Sequence, residues 1–102
     1  MITVQERYSL KPEYVTNADE VMQKLDDILG PAAHESDGWV DHAKFLQDRL
    51  HRNQVIITYP WASAESLCDL VHDEETRLSE FYATYCTKPR EISIFETLAV
   101  DV

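Results

Sequence analysis

The sequence predicts an α+β domain whose strands and helices follow the order β-α-β-β-α-β. Residues near the amino terminus alternate between apolar and polar side chains, which is typical of a strand. Two longer segments carry apolar residues at helical spacing. Runs of β-branched and aromatic residues, which favour strands, stand in the middle and at the end of the chain. The 102 residues include only two Gly and four Pro. They predict a single domain spanning residues 1–102.

The first strand is predicted over residues 2–10, and the first helix follows it. The apolar face of this strand includes one charged residue, Glu6. Pro12 ends the strand because proline has no N–H to donate. Asn17 can cap the helix, with Glu20 three residues later as in a capping box. Gly30-Pro31 is expected to stop the helix or kink it strongly. The apolar stripe of the helix consists of Val21, Met22, Leu25, Ile28 and Leu29.

A pair of strands is predicted in the middle of the chain. Asp37-Gly38 signals a turn, and Trp39 to Gln47 forms the second strand. The polar residues 48–53 suit a hairpin connection. Residues 55–59 are β-branched or aromatic throughout and form the third strand, with Pro60 near its end.

The second helix and the last strand complete the order. Ser63 is the expected N-cap of the helix, and Pro89 closes the segment. Residues 92–100 form the fourth strand. We expect the ferredoxin-like arrangement, with two helices on one face of a four-stranded antiparallel sheet. The apolar stripe of the second helix consists of Leu67, Leu70, Val71, Leu78, Phe81, Tyr82 and Tyr85, with Glu74 as its one acidic member.

The sheet face that no helix covers predicts a partner. The third strand carries apolar residues on both of its faces, including Ile56, and the fourth adds Phe95 and Ala99 to the second face. An uncovered apolar face is a binding surface. The simplest partner is a second copy in two-fold symmetry, so we expect a homodimer.

Composition excludes several classes of partner. The net charge is −10, which repels nucleic acid and anionic membranes. The amino terminus has no signal-peptide pattern, and no apolar run approaches the length needed to span a bilayer. We therefore expect a cytoplasmic protein. Cys68 and Cys86 form no CxxC motif, so they are expected to be buried and reduced.

Motifs for metals and cofactors are missing from the sequence. The His and Cys residues show no ligand spacing, and no dinucleotide fingerprint, phosphate-binding loop or nucleophile elbow occurs. We expect neither a metal nor a cofactor.

Two passages resemble a known family. Residues 56–67, which run from a strand through Tyr59, Trp61 and Ser63 into a helix, resemble a passage of the antibiotic biosynthesis monooxygenases. Residues 92–98 resemble the last strand of that family, and the turn at Gly38 also fits. The resemblance implies a dimeric α/β barrel in which each subunit keeps a cavity between sheet and helices. The activities it implies are cofactor-free oxygenation of aromatic polyketides, isomerisation and haem degradation, and some members have no established activity.

The chain departs from the family pattern at two positions. Many relatives carry a His on the second helix where this chain has Leu70, and the nearby imidazole is His72. The haem-degrading branch uses an Asn on the first strand. Here the corresponding position lies near Glu6, which makes haem cleavage a weaker expectation than oxygenation.

Three residues are candidates for proton transfer. A desolvated carboxylate at Glu6 would have a raised pKa and could act as a base, or it could pair with a cation. His42 could take a proton from a phenol near neutral pH, or serve as a structural or interface residue. His72 could line the cavity, or lie exposed beside the acidic residues 73–75.

Four aromatic residues are candidates for binding the substrate. The indole of Trp61 can stack on a flat ligand, although it could equally belong to the core. Tyr8, Tyr59 and Tyr82 could donate phenolic hydrogen bonds inside a cavity, while Tyr82 at helical spacing could also be a core residue.

The sequence therefore predicts a cofactor-independent monooxygenase acting on a small aromatic or polyketide-like compound. One alternative is a non-catalytic dimer of the same fold that binds a small ligand. A second alternative is an isomerase, a cyclase or a haem-degrading relative.

Overall fold

The computed structural model describes residues 1–101, which form four strands and three α-helices. A short 3₁₀ helix, Pro12–Asn17, leads into the first α-helix. The strands pair in the order β2-β3-β1-β4, and all three pairings are antiparallel. This confirms the predicted α+β, ferredoxin-like sheet. The elements are β1 Ile2–Ser9, α1 Ala18–Glu35, β2 Lys44–Gln47, β3 Gln54–Trp61, α2 Ala64–Glu75, α3 Ser79–Tyr85 and β4 Glu91–Phe95.

The alternation of β1 divides its side chains between the two faces of the sheet. Val4, Glu6 and Tyr8 are buried beneath the helices. Paired residues on neighbouring strands share a face. Glu6 pairs with Ile57 of β3 and with Ile92 of β4, so it lies between apolar residues at the centre of the sheet.

Helix α1 passes through Gly30-Pro31 and ends at Glu35, so the prediction that this pair stops the helix is wrong. Gly30 does not adopt a positive φ, so it does not act as a left-handed C-cap. Pro31 removes only one helical N–H. The chain leaves the helix at Ser36, whose N–H bonds to the carbonyl of Ala33. At the other end, the side chain of Asn17 makes no capping bond.

The second strand is shorter than predicted. It begins at Lys44, and Trp39 makes only an isolated bridge with Trp61. The hairpin after it turns at Asp48, whose Oδ1 accepts the N–H of Leu50 and of His51.

The predicted second helix is two helices. Between α2 and α3 the backbone N–H of Thr76 bonds to Asp73, and the N–H of Arg77 bonds to Glu74, three residues back in each case. This tighter pattern ends α2. Ser63 caps α2 as predicted, because its side chain accepts the N–H of Ser66.

The last strand ends at Phe95, earlier than the predicted 100. Phe95 pairs with Thr3, and β1 offers almost no chain beyond that point for a further pairing. Leu98 and Val100 are consequently exposed. Cys86 is buried, but Cys68 is exposed, which corrects the expectation of a buried pair.

No helix within the described residues 1–101 is long and apolar enough to cross a membrane.

Candidate functional site

A cavity of about 630 Å³ lies between α1, α2 and the sheet. Helix α1 forms one side of it, and the segment that joins α1 to β2 forms the mouth. Its inner part is apolar and aromatic, with two acidic residues. The inner side chains are Glu6, Ile57, Tyr59, Trp61, Leu70 and Glu74.

Glu6 is buried and accepts three hydrogen bonds. Its Oε1 receives the hydroxyl of Tyr8 at 2.7 Å and Nη1 of Arg90 at 2.8 Å. Its Oε2 receives the hydroxyl of Tyr59 at 2.5 Å. The alternation of β1 and β3 creates this arrangement, since Glu6, Tyr8 and Tyr59 all point beneath the helices. Both carboxylate oxygens accept hydrogen bonds, so the position of the Glu6 side chain is fixed.

Arg90 is a central residue of the site, and sequence reasoning missed it. Its side chain is fully buried just before β4. Nη1 also donates to Oε1 of Glu74 at 3.1 Å, and Nε donates to Glu75 at 2.7 Å. A signal was available: acidic residues on the apolar face of a strand and on the apolar stripe of a helix require a buried cation.

Glu74 is the group of this cluster that can exchange a proton near neutral pH. Burial raises its pKa to about 7, and the charge of Glu6 adds to this effect against the opposing influence of Arg90. Burial and the neighbouring Glu6 also raise the pKa of Tyr59, so this phenol stays protonated as a donor.

An aromatic group stands at the mouth of the cavity. The rings of His34 and Trp39 lie 4.7 Å apart, and those of Trp39 and His42 lie 5.4 Å apart. The imidazoles of His34 and His42 are exposed and stack with centroids 6.1 Å apart. His34 comes to the mouth only because α1 continues past Pro31.

The predicted site residues fall into two groups. Glu6, His42, Tyr59 and Trp61 line the cavity. Tyr8 lies behind Glu6, to which it donates, and so supports the cavity wall.

Tyr82 and His72 lie apart from the cavity lining. The hydroxyl of Tyr82 bonds to Glu75 at 3.0 Å. His72 is exposed on α2. The catalytic role of His72 stays a prediction, and it has no part in the function proposed below.

Two buried donors have no hydrogen-bond partner within residues 1–101: Nε1 of Trp61 and Nη2 of Arg90. The indole nitrogen of Trp61 is covered by the backbone of Gly38. Arg90 does not line the cavity. Over the same residues, no group of three or more His, Cys, Asp or Glu side chains is arranged to hold a metal ion.

The sheet order, the helices on one face and the cavity between them are features of one fold class. This fold is shared with the solved structures of antibiotic biosynthesis monooxygenases. No sequence-family description matches the chain, and no curated protein matches it in sequence.

Three solved structures illustrate the similarity. One is an antibiotic biosynthesis monooxygenase, with a TM-score of 0.70, 13% identity and 96% of this chain matched to 99% of that one. The second is SnoaB, a cofactor-independent oxygenase from Streptomyces nogalater, with a TM-score of 0.66 and 12% identity; the match covers 97% of this chain and 94% of SnoaB. The third is PA3566 from Pseudomonas aeruginosa, with a TM-score of 0.69 and 14% identity; the match covers 96% of this chain and 94% of PA3566. The predicted resemblance is confirmed as a likeness of fold.

Proposed function

We propose that this protein is a cofactor-independent oxygenase of a small aromatic compound that binds in the cavity. The observation that carries the proposal is the cavity itself, about 630 Å³ in volume, with aromatic sides and a wall of buried carboxylates. Small-molecule sites typically enclose about 300–1,000 Å³. SnoaB, which shares the fold, is a cofactor-independent oxygenase. A shared fold supports this chemistry without establishing it.

The reaction begins with removal of a proton from a phenol or an activated CH₂ group of the ligand. His42 at the mouth is the proposed base, since an imidazole exchanges protons near neutral pH. The electron-rich anion then gives an electron to O₂, and a C–O bond forms. The resulting hydroperoxide loses water, so a CH₂ group becomes a carbonyl. One oxygen atom enters the product and the other leaves as water, and the substrate supplies the electrons.

The other cavity residues hold the ligand. Trp61 is almost fully buried and offers a flat surface, with the ring of Tyr59 5.8 Å away at a steep angle. Glu6, fixed by Tyr8, Tyr59 and Arg90, keeps the polar wall rigid. A rigid site spares the ligand the cost of reorganising its surroundings.

The test measures oxygen uptake with anthrone and with 1-naphthol, two flat compounds that ionise to electron-rich anions. We expect one O₂ to be consumed for each anthraquinone formed, faster than in protein-free buffer. The His42→Ala variant should lose roughly 10²–10⁴-fold in kcat, the usual contribution of a general base. His51→Ala, which changes an exposed imidazole in the β2–β3 turn, is the matched control and should retain the activity. If oxygen uptake with both compounds equals that in protein-free buffer, the oxygenase assignment is wrong.

A non-catalytic ligand-binding role is the second candidate, and one observation favours it. Glu6 accepts three hydrogen bonds, so this buried carboxylate is held rigidly and is poorly suited to proton transfer. The same assay separates the candidates. A binding protein returns the ligand unchanged, whereas an isomerase or cyclase returns a product of equal mass without oxygen uptake.

We also propose that two copies associate through the outer face of the sheet. That face is mixed: Leu46, Ile56, Pro60 and Phe95 are apolar, whereas Gln5, Arg7, Lys44, Thr58 and Ser93 are polar. Leu46 is 52% exposed and Phe95 is 49% exposed. Leu98 and Val100, which follow β4, are also exposed. A second copy would bury these side chains in a self-complementary contact.

A further inference from the structure

The lining of the cavity carries negative charge without matching positive charge. Within the described residues, six carboxylates line the cavity and no Lys or Arg does. The four that lie on α1 and in the segment after it are exposed, and none of these four forms an ion pair in residues 1–101. An anionic ligand would be repelled on entry, whereas a cation would be attracted. The carboxylates are Glu6, Asp26, Asp27, Glu35, Asp41 and Glu74.

The buried end of the cavity is also short of positive charge. The two buried carboxylates, Glu6 and Glu74, make ion pairs with the single guanidinium of Arg90, which also pairs with the exposed Glu75. When Glu6 and Glu74 are both ionised, this buried group carries one negative charge in excess. Buried charges require compensation, because they have lost their hydration.

The charge excess acts most clearly on Glu74. Its pKa is raised to about 7, first by burial and then by Glu6, so near pH 7 it binds a proton that an exposed carboxylate would release. Arg90 donates to Oε1 of Glu74, which leaves Oε2 as an acceptor for a further donor. A ligand ammonium placed there would supply the charge that the proton otherwise supplies.

The aromatic side chains provide the rest of a cation site. Tyr59 and Trp61 line the cavity together with Glu74, and Trp39 stands nearer the mouth. Aromatic faces attract organic cations, most strongly where water is excluded. They also offer a surface for a flat ring.

We propose that the cavity binds an aromatic amine in its protonated form, with the ammonium group against Glu74 and the ring against Tyr59 and Trp61. This specificity rests on the proposed function in one respect, since both place an aromatic ligand in the same cavity.

The test compares three probes that share one ring: 1-naphthylmethylamine, 1-naphthalenemethanol and 1-naphthoate. Calorimetric titrations at about pH 8 keep the amine protonated and Glu74 ionised. We expect the ammonium compound to bind the wild-type protein at least tenfold more tightly than the alcohol, as a charge-assisted hydrogen bond in a desolvated site provides. The naphthoate should bind more weakly than both.

Two substitutions test whether Glu74 is responsible for the preference for the ammonium compound. Glu74→Gln keeps the size of the side chain and should reduce the affinity for the ammonium compound to that for the alcohol. Asp69→Asn, which removes an exposed carboxylate on the same helix outside the cavity lining, should change it less than about twofold. Should Glu74→Gln not fold, a crystal structure of the wild-type complex answers the question. The ligand nitrogen should lie within hydrogen-bond distance of Glu74, and a nitrogen among the four exposed carboxylates of the lining would overturn the assignment.

The outcomes distinguish this inference from the function on which it rests. Equal affinities for the amine and the alcohol would overturn the proposed cationic specificity, while the proposal that the cavity binds an aromatic compound would remain. Binding of none of the three probes overturns both.

Discussion

Gly38 lies directly against the indole of Trp61. A Cβ atom at position 38 would stand 2.2 Å from Nε1 and 2.4 Å from Cε2 of that ring. The hydroxyl oxygen of Ser66 would be 2.7 Å away on the same side. The turn before β2 therefore needs glycine for close approach, and Trp61 is held between the cavity and the backbone of this turn.

Replacement of Gly38 by Ala should destabilise the protein by about 1–3 kcal/mol, because the new Cβ atom would displace the buried indole from its packed position. Gly30→Ala is the matched control. Its new Cβ would meet Oδ1 of Asp26 at 3.1 Å, the end of an exposed side chain that can rotate away. The control should be more stable than the wild type by roughly 0.5–1 kcal/mol, because alanine favours the interior of a helix more than glycine does. Urea unfolding measures both, and equal effects from the two substitutions would contradict this account of Gly38.

Glu74 should make the stability fall as the pH rises. The pKa of Glu74 in the folded protein is about 7, against an ordinary value of 4.5 in the unfolded chain. The folded state therefore binds the proton more tightly, and this contribution is complete below about pH 4.5 and lost as the pH rises through 7. As the pH rises from about 5 to about 8, the free energy of unfolding of Glu74→Gln should increase by roughly 2–3 kcal/mol relative to that of the wild type. A difference that stays constant with pH would contradict the raised pKa, and Asp69→Asn serves as the control.

Arg90→Met should be among the most destabilising substitutions in the chain. It leaves Glu6 and Glu74 buried without their cation, which typically costs about 3–5 kcal/mol. The exposed Arg49 supplies the matched control, and Arg49→Met should cost less than about 0.5 kcal/mol. Combining Arg90→Met with Glu74→Gln should recover part of the loss, since one of the unpaired charges is then absent. A loss below about 1 kcal/mol for Arg90→Met alone would mean that water or a salt ion replaces the guanidinium.

Association of two copies can be tested with two charged substitutions. The wild type should elute with twice the mass of the 11.8 kDa chain in size-exclusion chromatography with light scattering. Phe95→Asp places a charge on the outer face of the sheet and should yield the monomer. Leu50→Asp changes a residue that is 86% exposed in the β2–β3 turn, away from the sheet, and should leave the dimer intact. A monomeric wild type would contradict the proposed interface.

The sequence predicted the order of the elements because both periodicities are strong in it. The alternation of β1 placed Glu6 beneath the helices, and the helical spacing of the second half placed Glu74 on the apolar stripe. Boundaries were predicted less well where they depend on distant partners. The residues around Trp39 have the local pattern of a strand, but on that side β3 pairs continuously only with residues 44–47.

The candidate site was predicted in part for the same reason. Arg90 stands between Pro89 and the first residue of β4, and nothing in its neighbours shows that it is buried. Only the joint presence of Glu6 and Glu74 in the core demands it. His34 was missed because Gly30-Pro31 looked like the end of a helix, and the helix continues past it.

The position of β1 also determines when the molecule can fold during its synthesis. Within residues 1–101, the first strand is a central strand of the sheet, and its neighbours β3 and β4 begin at Gln54 and Glu91. Val4 and Tyr8 therefore have no β3 partner, and stay exposed, until more than half of the chain has been made. The sheet cannot close until the last strand arrives, and such long-range pairing is slow and open to aggregation. During synthesis, the apolar side chains of β1 therefore stay open to association until β3 and β4 have followed them out of the ribosome.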